Sequence, residues 1–147
     1  MIVVDASLAA KWVLTEDDSA AALQFLTDHA GALVGPDLLA IEVGSAIVRR
    51  GNENKAFQGD AARALDKWTG SVAPLLTEIY PTTLRRLSRG GQLAFRLGHP
   101  ITDCIYLALA IEFSCDLATC DAKFAAKTGA VWNRVRLLAD YPLSTAA

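Results

Sequence analysis

Four acids lie against strongly apolar stretches, where packing alone does not favour them. Asp5 follows Ile2-Val3-Val4, Glu42 follows Leu38-Leu39-Ala40-Ile41, Asp103 precedes Cys104-Ile105-Tyr106-Leu107, and Asp121 follows Leu117-Ala118-Thr119-Cys120. Burying a carboxylate is costly unless it is hydrogen-bonded, paired or bound to a metal. Four carboxylates converging on one point repel one another, and a divalent cation is the natural remedy. The pattern points to metal-dependent chemistry, provided the fold gathers the four.

The elements that must gather them alternate along the chain. Ile2 to Val4 reads as a strand buried on both faces and closed by Asp5, with Ser7 placed to cap a short helix through about Val13. Ser19 caps a second helix through about His29, and Leu33-Val34 is a short strand ending at Gly35-Pro36. Asp37 caps a helix from Leu38 to about Arg50, stopped by Gly51-Asn52 and ending in Arg49 and Arg50, where cations suit the helix dipole. A further helix spans about Ala56 to Thr69, and Leu75 to Ile79 reads as a strand. Pro81 opens a helix ending near Leu97-Gly98. After the His99-Pro100 turn, Thr102 caps an almost wholly apolar helix through about Phe113. Asp116 to Thr119 is a strand, Ala122 to about Thr128 a short helix, and Val135 to Leu138 a last strand. Strands alternating with helices give an α/β domain with a mainly parallel sheet. In such sheets the site lies outside the carboxyl ends of the strands, where all four acids fall.

At 147 residues the chain reads as one domain, spanning 1–147, large enough for a core without disulfide staples. It is 52% hydrophobic and 20% charged, which excludes a disordered protein. A net charge of -2 argues against a protein that coats nucleic acid, though not against a nuclease with a local acidic centre. Cys104, Cys115 and Cys120 form no CxxC pair, so a cytoplasmic location with reduced thiols is the simpler expectation. The opening residues lack the pattern of a signal peptide, and the longest apolar run, Cys104 to Ile111, is too short to span a bilayer.

In four segments the chain resembles the PIN-domain family, and within it the VapC-type ribonuclease toxins of bacterial toxin–antitoxin pairs. The segments are Ile2-Val3-Val4-Asp5-Ala6-Ser7, Pro36-Asp37-Leu38-Leu39-Ala40-Ile41-Glu42-Val43, the run from Pro100 through Asp103 to Ala110, and Leu117 through Asp121 to Phe124. The resemblance implies an α/β/α sandwich with about four to five central strands and a Mg²⁺- or Mn²⁺-dependent endoribonuclease. Carried over, Asp5, Glu42, Asp103 and Asp121 form the acidic quartet. Asp5 and Asp103 are the direct metal ligands, Glu42 and Asp121 act directly or through water, and Ser7 and Thr119 support the site. It further implies a structured RNA substrate (tRNA or rRNA), a homodimer, and a VapB-like antitoxin whose helical segment lies along the helices between about Leu38 and Thr69.

Each acid also has a plainer use when taken alone. Asp103 and Asp121 suit helix starts, and Glu42 suits the edge of an apolar stripe; Asp5 has fewer structural uses. Asp17, Asp18, Glu53, Asp60, Asp66 and Glu112 read as solvated surface, and Asp116 as a turn residue. His29 and His99, with no partner at ligand spacing, read as surface or loop histidines. Arg85, Arg86, Arg89 and Arg96 form either an exposed helix face or a basic strip for RNA, joined by Lys11, Lys123 or Lys127. Two alternatives stay open: an RNA-processing PIN nuclease without toxicity, and a non-catalytic module holding a partner's Arg or Lys in an acidic pocket.

Overall fold

Five short strands run parallel in the order β3-β2-β1-β4-β5: β1 Ile2–Val4, β2 Leu33–Pro36, β3 Glu78–Tyr80, β4 Asp116–Thr119 and β5 Val135–Leu137. The computed structural model describes residues 1–144. Among the described residues, seven α-helices flank the sheet: α1 Ala6–Ala9, α2 Ser19–Asp28, α3 Leu38–Glu53, α4 Gln58–Lys67, α5 Leu84–Leu97, α6 Ile101–Glu112 and α7 Ala122–Thr128. This is the α/β/α architecture expected. From β1 the chain builds outward through β2 to β3, then returns to lay β4 on the other side of β1. The crevice between β1 and β4 is therefore the switch point of the sheet, where such folds place ligands.

Helix α6 lies on β1, β2 and β4, and α5 lies against α6. Every residue from Cys104 to Ala110 is buried, which accounts for the continuous apolar run. Full burial of side chains such as Leu107 and Leu109 contributes about 1.5–3 kcal/mol each. Gly90 permits the close approach of α5, since a Cβ there would meet Ile105 Cγ1 at 3.0 Å. Trp12 is buried and donates from Nε1 to the Ala22 carbonyl at 2.9 Å.

Several boundaries differ from expectation, each for a local reason. Asp5 rather than Ser7 caps α1, its side chain accepting from the Leu8 amide, and the helix tightens into a 3-10 turn at Ala10–Trp12. Ser19 is the first residue of α2, and its hydroxyl accepts from Glu16 N and donates to the Leu14 carbonyl. Asp37 makes no side-chain cap; its carboxylate accepts from the Thr82 amide and hydroxyl instead. Gly51 does not stop α3. It is buried where α3 meets α4, and a Cβ there would lie 2.9 Å from the Ala61 Cβ.

The expected helix from Ala56 to Thr69 divides into a 3-10 turn at Lys55–Phe57, α4, and a widened π turn at Trp68–Val72. Leu75 closes another 3-10 turn, so β3 starts later, at Glu78. Thr83 caps α5 through the Arg86 amide, leaving Pro81 outside the helix. Helix α6 begins directly behind Pro100, so Thr102 lies inside its first turn and is not its cap. The strand expected from Asp116 to Thr119 is found as β4, so Asp116 is its first residue and not a turn residue, and it pairs with Arg134 and Arg136.

Candidate active site

Asp5, Glu42, Asp103 and Asp121 all line one cleft of about 410 Å³, together with Ser7, Lys11, Glu16, Arg49 and Cys120. Four different junctions deliver them. Asp5 ends β1, Asp121 stands between β4 and α7, Asp103 is in the first turn of α6, and Glu42 is one turn into α3.

The seam between β1 and β4 fixes Asp5. Val4 pairs with Ala118, which sets Asp5 beside Thr119 one residue further on. Ser7 Oγ donates to Asp5 Oδ1 at 2.7 Å, the Leu8 amide donates to the same oxygen at 3.1 Å, and Thr119 Oγ1 donates to Asp5 Oδ2. A hydroxyl carries one proton, and both of these are directed at Asp5. The same hydroxyl oxygens accept backbone amides: Cys120 N to Ser7 at 2.9 Å and Asp121 N to Thr119 at 3.0 Å. Ser7 and Thr119 thus stitch the β1 end to the β4 end.

The other acids are held more lightly. Tyr106, itself buried, donates from its hydroxyl to Glu42 Oε1 at 2.6 Å. Asp121 Oδ1 caps α7 by accepting from Phe124 N at 2.9 Å. Asp103 Oδ2 meets His99 Nε2 at 2.7 Å. His99 is thus not a surface histidine: its side chain is only 9% exposed, and its ring stacks on Phe124 with centroids 4.7 Å apart. Gly98, at φ +60°, turns the chain out of α5 and delivers His99 to this place.

Burial lifts the Asp5 carboxyl to about 6, against the lowering effect of Thr119, Ser7 and Leu8, and the nearby charge of Asp103 adds to the lift. Burial likewise raises Glu42; the Tyr106 hydroxyl opposes this and Asp103 reinforces it. Among the described residues, no Lys or Arg forms an ion pair with any of the four acids. Lys11, although it lines the cleft, is bound to Glu16 and Asp18 at 2.7 Å each. The donor set therefore suits a divalent cation: concentrated negative charge, not neutralised from within. His99, Asp103 and Asp121 each present a ligand atom within 4.8 Å of the others. Burial pushes the Cys120 thiol up to about 12, which disfavours the nucleophilic thiolate.

The model of the PIN domain family matches residues 2–130, a span containing all four acids. The chain belongs to the PIN-domain family. No curated protein sequence matches it. Among solved structures, this PIN domain is similar to Mycobacterium tuberculosis VapC20, a sarcin-ricin loop cleaving toxin, with 16% identity over 92% of this chain and 99% of the other, TM-score 0.69. It is similar to PAE2754 from Pyrobaculum aerophilum, with 20% identity over 94% of this chain and 89% of the other, TM-score 0.69. It also resembles the structure of FitAB bound to an IR36 DNA fragment, with 16% identity over 93% of each chain, TM-score 0.68. At such identities these are likenesses of fold.

Three residues of this PIN-domain site escaped the sequence reading, and each left a spacing signal. His99 precedes Asp103 by four residues, just ahead of α6. Tyr106 follows Asp103 by three and lies on the same side of α6. Arg49 follows Glu42 by seven, and Glu42, Ala46 and Arg49 all face the cleft as one stripe of α3. The α5 arginines do not line the cleft. Arg86 bonds Glu112 and the Pro81 carbonyl and lies over Tyr80 and Phe113, which makes it a structural residue.

Proposed function

We propose that this PIN domain is a Mg²⁺- or Mn²⁺-dependent endoribonuclease of the VapC type, acting on structured RNA and restrained by a cognate antitoxin. The observation that carries this reading is the convergence of Asp5, Glu42, Asp103 and Asp121 on one cleft at the switch point of the sheet. Asp5 and Asp103, with Glu42 and Asp121 directly or through water, are the residues to hold the cation. When bound, it would polarise a scissile phosphate and lower the pKa of water for in-line attack.

The chain's own groups divide the remaining work. Asp5, held by three donors, supplies fixed negative charge at the floor of the cleft. Glu42 has one oxygen held by Tyr106, which leaves the other to accept a proton from an attacking water. Its raised affinity for protons suits it to that role. Arg49 has no hydrogen-bond or ion-pair partner among the described residues and is placed to take a backbone phosphate at the cleft mouth.

A groove lined by Ile41, Gly44, Ser45, Val48 and Arg49 continues from the cleft along α3. Ile41 and Val48 are exposed there, and the antitoxin helix is the proposed occupant. A second copy of the chain is proposed against α5, where Leu84 and Phe95 stand out to solvent. Among the described residues no helix is long and apolar enough to cross a membrane.

Purified protein should cut structured RNA with Mg²⁺ or Mn²⁺ and lose that activity in Asp103→Asn. RNA left intact, with no cation bound by calorimetry, would overturn the enzyme reading in favour of a binding module. Expression in a bacterial host should arrest growth, and co-expression of a small DNA-binding protein from the adjacent reading frame should restore it. Normal growth from well-expressed chain would exclude toxicity.

A further inference from the structure

The four acids do not stand equally ready to receive a cation. Among the described residues, Asp5 accepts three hydrogen bonds, two of them on Oδ1, whereas Glu42, Asp103 and Asp121 each have one oxygen engaged and the other free of protein donors. The tightest group of ligand atoms is instead His99, Asp103 and Asp121, all within 4.8 Å of one another. Two of these are carboxylates, and the third is a nitrogen donor.

The ring of His99 is fixed from several sides. Its backbone amide donates to the Ala94 carbonyl at 3.1 Å, and the preceding Gly98 carbonyl accepts from Lys127 Nζ at 3.0 Å. Phe124, buried, backs one face of the ring, and its own amide caps onto Asp121 Oδ1. One residue therefore sets both the histidine plane and the second carboxylate. At 2.7 Å, the His99 nitrogen and the Asp103 oxygen share a hydrogen, which the Nε2–H tautomer supplies and whose place a cation can take.

We propose that His99 is a nitrogen ligand of the divalent cation, alongside Asp103 and Asp121, and that it tilts the site toward Mn²⁺ over Mg²⁺. The proposal rests on the cation-dependent reading above. Mg²⁺ is hard, prefers oxygen and keeps its waters, whereas transition-metal ions accept imidazole nitrogen more readily. The neighbourhood is otherwise a carboxylate cluster, so the imidazole is the feature that distinguishes it from an all-oxygen Mg²⁺ site.

The test is pulsed electron paramagnetic resonance of the protein loaded with Mn²⁺, which reads ligand nitrogen without any turnover. The spectrum should carry coupling of the strength of a directly bound nitrogen. That coupling should change its pattern when histidine alone is labelled with nitrogen-15. The chain has two histidines, and His29 packs against Phe25 and Tyr141, so His29→Gln should leave the signal intact. His99→Gln should abolish it and weaken Mn²⁺ binding about tenfold or more, with a smaller change for Mg²⁺ measured by displacement. Should His99→Gln fold poorly, labelled wild type and labelled His29→Gln still decide the question. Mn²⁺ bound without nitrogen coupling would overturn the ligand role while leaving the cation site standing. Coupling that survives in folded His99→Gln would do the same. Failure of Mn²⁺ to bind at all would overturn both.

Discussion

Thr119 Oγ1 donates to Asp5 Oδ2 across the seam of two parallel strands whose sequence positions are 114 apart. The contact exists because Val4 and Ala118 are paired, so the next residue on each strand meets its neighbour at the carboxyl end of the sheet. Removing the hydroxyl in Thr119→Val leaves a buried carboxylate oxygen and the Asp121 amide short of a partner. Stability should fall by about 1–3 kcal/mol. Because this hydroxyl holds the Asp5 proton affinity down, the acidic limb of the pH–activity profile should move to higher pH. Thr119→Ser should restore both, as read by urea unfolding and by rate against pH.

Asp5 itself is a liability to the cation-free fold. Its carboxyl ionises at about 6 when folded against an ordinary 3.8, mainly because it is buried. Between those values the folded chain keeps a proton that the unfolded chain has lost. The penalty is therefore absent below about pH 3.8, grows as pH rises, and is complete above about 6, where the shift corresponds to about 3 kcal/mol. In chelator at pH 7.5, Asp5→Asn should be more stable than wild type by up to about that amount, and the gap should close at pH 4. The same substitution should reduce RNA cleavage by about a hundredfold or more, since fixed charge at the cleft floor is lost. Wild type less stable at pH 4 than at 7.5 relative to Asp5→Asn would contradict the argument.

Asp121 has two duties that one pair of variants separates. Asn keeps a side-chain oxygen to accept from Phe124 N, whereas Ala does not. Asp121→Asn should unfold at nearly the wild-type temperature, and Asp121→Ala should lose about 1 kcal/mol with its helix cap. Calorimetry should nevertheless find cation affinity reduced in both.

The two kinds of arginine should also part company. Arg49→Gln should weaken RNA binding and lower the salt dependence by about one counterion, with little change in melting temperature. Arg86→Gln breaks contacts to Glu112 and Pro81 and should act in the opposite sense, lowering stability while leaving RNA affinity nearly unchanged. Filter binding across a salt series and thermal unfolding read the two effects.

What the sequence disclosed follows from range. Acids beside β-branched and aliphatic runs are conspicuous because burial of charge is costly whatever the fold, so Asp5, Glu42, Asp103 and Asp121 were legible as a group. Gly51 was misjudged because a glycine needed for close helix approach looks the same in sequence as one that ends a helix. The cap of α1 passed from Ser7 to Asp5 because the Ser7 hydroxyl is engaged by Asp5 and by Cys120, a residue more than a hundred positions away. His99 was hidden for a similar reason. The turn at Gly98 is legible as the end of a helix, but the burial of His99 depends on Phe124, 25 residues further on, which a local pattern does not report.

The stitch between Ser7, Thr119 and Asp5 also sets a time at which the acidic site is complete. Asp5 and its partner Ser7 are close in sequence, but its partner Thr119 lies 114 positions after Asp5, so the strand carrying Thr119 is made much later. Until β4 has emerged and slotted beside β1, Asp5 has neither its neighbour nor its cleft. A nascent or prematurely terminated chain thus lacks the assembled acidic cleft. Such long-range pairing is slow to form, which adds a further interval between synthesis and completion of the site.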